Sequence, residues 1–599
     1  MTRARFDDLR PGRRRSFQLA GLLDEYHADT PADVPPALAR AEAAVAAGHW
    51  VAGWVSYEAA PAFDTAFVVR PTVGTGFADL PLAHLAVFDR REPVGEPEGD
   101  AAPGVWEATI DAGRHAADVE EIRERIRRGD TYQVNHTFRL RALFDGDPEH
   151  LYGRLVHAQR GGYGAYLDAG RWAVASASPE LFFDREGDRL TCRPMKGTAA
   201  RGPDTATDEA RRAALLASEK DRAENLMIVD MVRNDLGRVA VPGSVGVTEL
   251  FAVERYDTVW QLTSTVEART RAGVGLVEVF GPLFPCASIT GAPRSSTMRI
   301  IAELETTPRG VYCGAIGFGG PTASGPRWAF NVGIRTVLID RATRTAWYGT
   351  GGGITHDSTP AGEYAEALLK AEVLTQPPAR FSLLETMLWT PASGIALWQR
   401  HLARLTASAG YFAIPLDVAA VRAALDAALD SRAEELRGAD AVRLRLLVDQ
   451  HGRATAEASG TPPPRAEPVR AVIDTVASPS EDPFGRHKTT RRTRYDAAAA
   501  RHPGADDVIL VNELGQVTET LIASLAARVA GRWVTPPLAS GCLPGVARAE
   551  ALASGRLTEA SLTPGDLRRA DALARLNAVR GWEPLVLDDG QEGAVRPSR

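Results

Sequence analysis

The stretch YGTGGGITHDSTPAGEYAEALLKAE (348–372) joins a glycine run to a helix-like segment. Gly351, Gly352 and Gly353 lack a Cβ, so their backbone amides can approach a ligand closely. Free amides in such a run suit a carboxylate or a phosphate. The spacing is neither a P-loop nor a dinucleotide fingerprint, and a plain glycine-rich turn is an equal reading. EYAEALLKAEVL then reads as a helix, with Glu363 and Glu366 three residues apart on one face. Residues 206–227 also carry apolar positions at helical spacing, and Glu219 and Glu224 flank a second helical stretch. Carboxylates converging from two helices make a natural site for a hard cation such as Mg²⁺. Each glutamate taken singly reads equally well as part of a solvated face. WAVASASPELFF (172–183) and VILVNELGQVTET (508–520) read as strands with turns, so the pattern supports an α+β or α/β class.

Composition narrows the rest. The chain has 599 residues, 44% hydrophobic and 24% charged, which is globular rather than disordered. That length admits roughly four domains of about 150 residues, or two large ones. A net charge of −7 leaves no electrostatic footprint for nucleic acid. The basic start MTRARFDDLRPGRRR has no apolar segment after it, so no signal peptide is expected. No membrane span is expected either, since no run of about 18 apolar residues occurs. Cys192, Cys286, Cys313 and Cys542 show no CxxC pairing and read as free thiols of a cytoplasmic protein. Among 69 basic residues only four are lysines: Lys196, Lys220, Lys370 and Lys488. Codon bias in a GC-rich genome accounts for the scarcity, and since Arg serves where only charge is needed, a surviving lysine is a candidate for an amine that must lose its proton.

Three breaks organise the chain. REPVGEPEGDAAPG (91–104) reads as an exposed loop or insertion. QPPAR (376–380) separates the helix-like EYAEALLKAEVL from a new apolar start, FSLLETMLW. We place the main boundary there, giving domains at 1–375 and 381–599. GTPPPRAEP (460–468) divides the second part into two lobes.

SPELFF (178–183), PMKGT (194–198), DRAENLMIVDMVRNDLGR (221–238), ITGAP (289–293), FNVGIRT (330–336) and the 348–372 segment occur in this order. Together they resemble the chorismate-utilising enzymes, the group of anthranilate, aminodeoxychorismate, isochorismate and salicylate synthases. The resemblance covers roughly 110–372 and implies a layered α+β fold holding chorismate and Mg²⁺. It implies Glu224 and Glu366 as metal ligands, with Glu363 and Glu180 nearby. It implies Arg335 as the bidentate partner of a chorismate carboxylate. Tyr312 and the amides of Thr290, Gly291, Gly351, Gly352 and Gly353 would help hold the substrate.

Within that group, PMKGT resembles the aminodeoxychorismate synthases, where a lysine stands in place of the alanine of anthranilate synthases. Lys196 would then be a covalent nucleophile, its amine kept neutral by burial or nearby cations. TVWQLTSTV carries Gln261 where anthranilate synthases show a histidine base, and Gln cannot act as one. His136, near the family's substrate region, reads as structural or as a support behind the residues that touch substrate. No cysteine sits in the Gly-flanked turn a glutaminase needs, so a separate glutamine amidotransferase subunit is expected to supply ammonia.

In the second part, Lys488, Arg492 and Tyr495 fall on one face if helical, Glu519 ends a strand-like hairpin, and GVAR opens a helix suited to phosphate. A lysine, a carboxylate and an anion-binding helix terminus are the parts pyridoxal phosphate needs. The ordered set resembles the class IV aminotransferases, a fold-type IV group that includes aminodeoxychorismate lyases. The resemblance implies Lys488 as the cofactor-bonding lysine and Glu519 as partner of the pyridine nitrogen. Arg404 with Gly545, Val546 and Ala547 would hold the phosphate, Thr386 would assist catalysis, and a homodimer through this part is an allowed arrangement. Two positions depart from the pattern: Ala547 replaces a threonine and Ser524 an asparagine.

The expectation is an α+β chain with two activities. Chorismate is aminated to 4-amino-4-deoxychorismate, then pyruvate is eliminated to give 4-aminobenzoate. Its rivals are an anthranilate-type synthase fused to a class IV transaminase, and an active synthase with a non-catalytic C-terminal scaffold.

Overall fold

The computed structural model describes every residue except 2, 11, 100, 102–103, 376–380, 436 and 589–599. The linker expected at 376–380 thus lies outside the described residues. The chain forms two compact units, one of Met1–Ala200 with Arg212–Pro378, the other of Arg201–Arg211 with Ala379–Arg599. Among the described residues no helix is long and apolar enough to cross a membrane.

The first unit is built on an eighteen-stranded hydrogen-bonded network with helices packed on it. Its glycine run is strand rather than turn. Thr345–Ile354 pairs antiparallel with Gln133–Leu143, setting Gly351 opposite Thr137, Gly352 opposite His136 and Gly353 opposite Asn135. The helix Pro360–Ala371 starts on a proline at its first position, which suits a site with no amide to satisfy. It is pinned to this strand by Tyr348 Oη donating to Lys370 O (2.9 Å) and Thr350 Oγ1 donating to Ala367 O (2.5 Å).

The helical stretch read at 206–227 is two helices, Thr205–Ala217 and Glu219–Gly237. Ser218 separates them because its hydroxyl accepts from Asp221 N and so starts a new helix. The second helix buries Ile228, Val229, Val232 and Leu236. Full burial of such a side chain is worth about 1.5–3 kcal/mol, enough to fix the helix against the sheet. The strand Met195–Ala200 pairs with Val259–Arg269, and its register shifts between Met195 and Thr198. Gly197 in that irregularity has φ +98°, a conformation that favours glycine.

The 91–104 segment is less loop-like than its composition suggests. Residues 91–93 finish the strand Ala83–Pro93. Beyond it, His157 Nε2 bonds Pro97 O (2.6 Å), and a Cβ on Gly153 would meet Glu98 O at 2.3 Å, so this part packs on the helix Pro148–Gln159.

The second unit holds a four-stranded and an eight-stranded sheet. The first contains Leu383–Thr390, Val442–Val448 and Ala454–Gly460; the second begins with Val469–Ile473. The Pro-rich 460–468 stretch joins these two lobes. One reading needs correction: Lys488 is not helical. The helix starts at Thr493, while 488–490 run extended beside 382–384. Leu384 N donates to Lys488 O (2.9 Å) and Thr490 N to Ser382 O (2.9 Å), and these bridge bonds replace the helical ones.

Two candidate active sites

The first cavity, about 450 Å³, brings together Lys196, Glu180, Glu224, Glu363, Glu366, Arg335, Tyr312 and Gly351–Gly353. The glycines form a wall stripped of side chains. A Cβ on Gly353 would lie 2.4 Å from Lys196 Nζ and 2.1 Å from Gln133 Nε2; one on Gly349 would enter the Tyr312 ring at 2.2 Å. The missing side chains let the Lys196 amine and the Tyr312 ring reach this wall.

Burial disfavours charge on Lys196 and lowers its pKa, Glu224 opposes this, and the Lys370 ammonium adds to it. Lys196 Nζ lies 3.8 Å from Glu224 Oε2. Asn225, the next residue, fixes the backbone by donating from Nδ2 to Lys196 O (3.2 Å), while its Oδ1 accepts from Ser264 Oγ (2.6 Å). Gln261 donates to Gly197 O (2.8 Å) and accepts from Thr198 Oγ1 (3.0 Å), so its amide clamps the irregular strand just after the lysine.

The other two lysines of this half serve the carboxylates. Lys370 Nζ pairs with Glu366 (2.7 Å) and donates to Gly351 O (2.9 Å); Lys220 Nζ lies 3.9 Å from Glu224. Burial raises Glu363, where Glu366 is also near, and lifts Glu180 to about 7 against the hydroxyl of Ser288 (2.7 Å). On Glu366, burial is outweighed by Lys370 and the pKa falls.

No three of these carboxylate oxygens lie within 4.8 Å of one another among the described residues. That still fits Mg²⁺, which takes one or two carboxylates, keeps waters and completes its shell with substrate oxygen. Glu224 and Glu366 would hold it, with Glu363 and Glu180 at hand.

Arg335 adopts φ +52°, seldom seen outside glycine, and spends one donor on Gln159 Oε1 (3.1 Å). Its other donors remain for an anion. Thr290 and Gly291 do not line the cavity. Thr290 is fully buried and its carbonyl accepts from Asn135 N (2.7 Å), while Gly291 pairs with Val134. Ser288 and Ile289 form that wall instead. Behind it the buried Arg309 donates to Ile289 O (2.8 Å), Asn135 O (2.7 Å) and both oxygens of Glu305 (2.6 and 3.0 Å). Glu58 accepts the amides of Arg309 (2.7 Å) and Gly310 (2.8 Å). His136 is buried outside the cavity lining, with its Nε2 3.3 Å from Asp118.

The second cavity, about 380 Å³, gathers Lys488, Glu519, Thr386, Arg404, Ser524 and Gly545–Ala547. Burial, with Arg404 adding, lowers Lys488 to about 8. Glu519 lies in the strand Val517–Thr520 and accepts from Tyr495 Oη (2.8 Å) and Arg494 Nη2 (2.7 Å); burial raises its pKa. The helix Val546–Ala553 has no side-chain cap on its first amides. Gly545 N is spent on Leu543 O (2.8 Å), leaving Val546 and Ala547 to meet an anion. Ser524 Oγ stands 2.4 Å from where a Gly545 Cβ would be. Arg404 gives Nε and Nη2 to Glu385 (2.8 and 2.6 Å) and Nη1 to Pro544 O (3.1 Å), so only its remaining two hydrogens face the cavity. A lysine, a buried carboxylate and an uncapped helix terminus on one cavity fit pyridoxal phosphate.

The family model for chorismate binding enzyme matches residues 10–376. The chain belongs to the chorismate binding enzyme family. The amino-transferase class IV model matches residues 382–586. Aminodeoxychorismate synthase component 1 of Salmonella typhimurium is 39% identical over 273 residues, 45% of this chain and 59% of that one. Anthranilate synthase component 1 1 of Haloarcula marismortui is 38% identical over 281 residues, 47% of this chain and 56% of that one. The chain thus spans less than two thirds of the length of either relative. The crystal structure of anthranilate synthase component I from Streptococcus pneumoniae is 25% identical with a TM-score of 0.53, covering 61% of this chain and 93% of that one. Overall identity, 39% to the one and 38% to the other, does not separate the two kinds of relative.

Asn225, Gln133, Arg309 and Glu305 were not assigned from sequence. Asn225 sits inside DRAEN, next to Glu224, and Arg309 opens RGVYCG, so both were within motifs whose other members were read.

Proposed function

We propose that this chain converts chorismate and ammonia to 4-aminobenzoate and pyruvate in the cytoplasm, one step per unit. The observation that carries the proposal is Lys196: an amine with disfavoured charge, packed against Gly353 in a cavity of carboxylates, with Gln261 where the rival chemistry uses a base.

The neutral amine adds to ring C2, both conjugated ring double bonds shift and the protonated 4-hydroxyl leaves as water. Ammonia then adds at C4 as the C2–N bond breaks, restoring Lys196. The sum is replacement of water by ammonia. Arg335 offers a planar fork to a substrate carboxylate. Mg²⁺, when bound, neutralises the ring carboxylate. Arg cannot replace Lys196, since guanidinium stays protonated.

Ammonia comes from a separate glutamine amidotransferase. Burial raises the thiols of Cys286 and Cys542 to about 12 and those of Cys192 and Cys313 as well, so none is a thiolate near neutral pH.

In the second unit Lys488 is the proton carrier, taking the C4 proton and returning one to the departing enolpyruvate. Glu519 would partner the pyridine nitrogen of bound pyridoxal phosphate, and Val546, Ala547, Ser524 and Arg404 would hold its phosphate. Pyridoxal phosphate, when bound, supplies the electron sink.

Lys196→Arg tests the synthase reading: amination is expected to vanish while chorismate binding persists. Substantial retained amination overturns the covalent role.

A further inference from the structure

We propose that Glu25, His27 and His84 form a site for a borderline divalent cation such as Zn²⁺ or Co²⁺, tying two strands of the first unit together. The strands Arg15–Ala28 and Ala83–Pro93 pair antiparallel, and His27 stands directly opposite His84. Glu25 is two residues from His27 and so on the same face. One ligand atom from each residue lies within 4.8 Å of the others. None of the three lines either cavity described above.

The donor set decides the ion. Two imidazoles and one carboxylate suit Zn²⁺, Co²⁺ or Ni²⁺, whereas Mg²⁺ and Ca²⁺ prefer oxygen alone. Tetrahedral Zn²⁺ with bonds near 2.0–2.1 Å needs ligand atoms about 3.3 Å apart. Glu25 Oε1 already stands 3.1 Å from His84 Nε2, so the closure falls on His27. His27 is exposed and Glu25 partly exposed. His84 is buried and preset, its ring 4.8 Å from Trp54 and 4.1 Å from His27, with Nε2 3.1 Å from Glu25 Oε1. The Met1 amino group is the other partner of Glu25, so an entering cation displaces one ammonium from that carboxylate.

The test uses the full chain, stripped with a chelator and held in excess Mg²⁺ to occupy the carboxylate cavity. Titration with Co²⁺ is expected to fill one Mg²⁺-resistant site per chain, with visible absorption of a four-coordinate, nitrogen-ligated ion. His27→Gln, at an exposed position, should keep the fold and the amination rate. It should lose at least the roughly tenfold to hundredfold in affinity that removing a mere outer partner costs. His84→Gln should abolish the absorption. Zn²⁺ should raise the melting temperature of the parent and not of His27→Gln. Absence of Mg²⁺-resistant binding, binding only at millimolar Co²⁺, or binding undiminished in His27→Gln overturns the proposal.

Discussion

Gly353→Ala isolates what the glycine strand does for the Lys196 amine. An added Cβ would stand 2.4 Å from Lys196 Nζ and 2.1 Å from Gln133 Nε2, whereas ordinary contact begins at 3.4 Å. The amine must therefore retreat by about 1 Å, and a misplacement of that size costs on the order of a hundredfold in rate. A hundredfold corresponds to about 2.7 kcal/mol of lost transition-state stabilisation. Gly352→Ala is the control, because its nearest neighbour is the Glu363 carboxylate at 3.1 Å, which needs only a few tenths of an ångström. The assay is ammonia-dependent amination under saturating Mg²⁺, with chorismate affinity measured separately by calorimetry. Gly353→Ala should lose about two decades in kcat with chorismate affinity nearly kept, and Gly352→Ala should stay within a few-fold. A wild-type rate in Gly353→Ala, or equal losses in both variants, refutes the placement of the amine against this strand.

Other consequences are equally concrete. The cofactor-free chain should take up pyridoxal phosphate faster as pH rises, levelling above about 8, because Lys488 must be neutral to react; absorbance stopped-flow traces would show an unshifted lysine by a rise continuing past 10. Arg404→Lys should weaken pyridoxal phosphate binding by about tenfold or more and leave chorismate amination untouched, as read by equilibrium titration and the amination assay. Glu305→Gln removes one partner of a buried ion pair with Arg309 and should destabilise the first unit by about 3–5 kcal/mol in urea unfolding.

That Lys196, Lys488 and Glu519 line cavities was legible because the chemistry proposed for them needs one residue type inside a short ordered motif. The glycine run was legible as important, but the close packing across it was not. Read locally, three glycines suggest a turn offering amides; their actual constraint comes from His136, Gln133 and Lys196, brought across by strand pairing that no local window shows. Thr290 and Gly291 were placed on the wall by motif position, yet pairing with the 133–143 strand turns them away. The helical face expected for Lys488, Arg492 and Tyr495 failed because bridge bonds to 382–384 hold the lysine extended, although all three still line the cavity. Lys220 and Lys370 had position but no role in sequence; their pairing with Glu224 and Glu366 gives them one.

The central claim is tested most directly by the identity of the aminated product. The full chain is given chorismate, Mg²⁺, ammonium and pyridoxal phosphate, and the product is separated against both aminobenzoate isomers, which share a mass. The account expects 4-aminobenzoate with equimolar pyruvate, and accumulation of 4-amino-4-deoxychorismate when Lys488 is replaced. Formation of 2-aminobenzoate would contradict it.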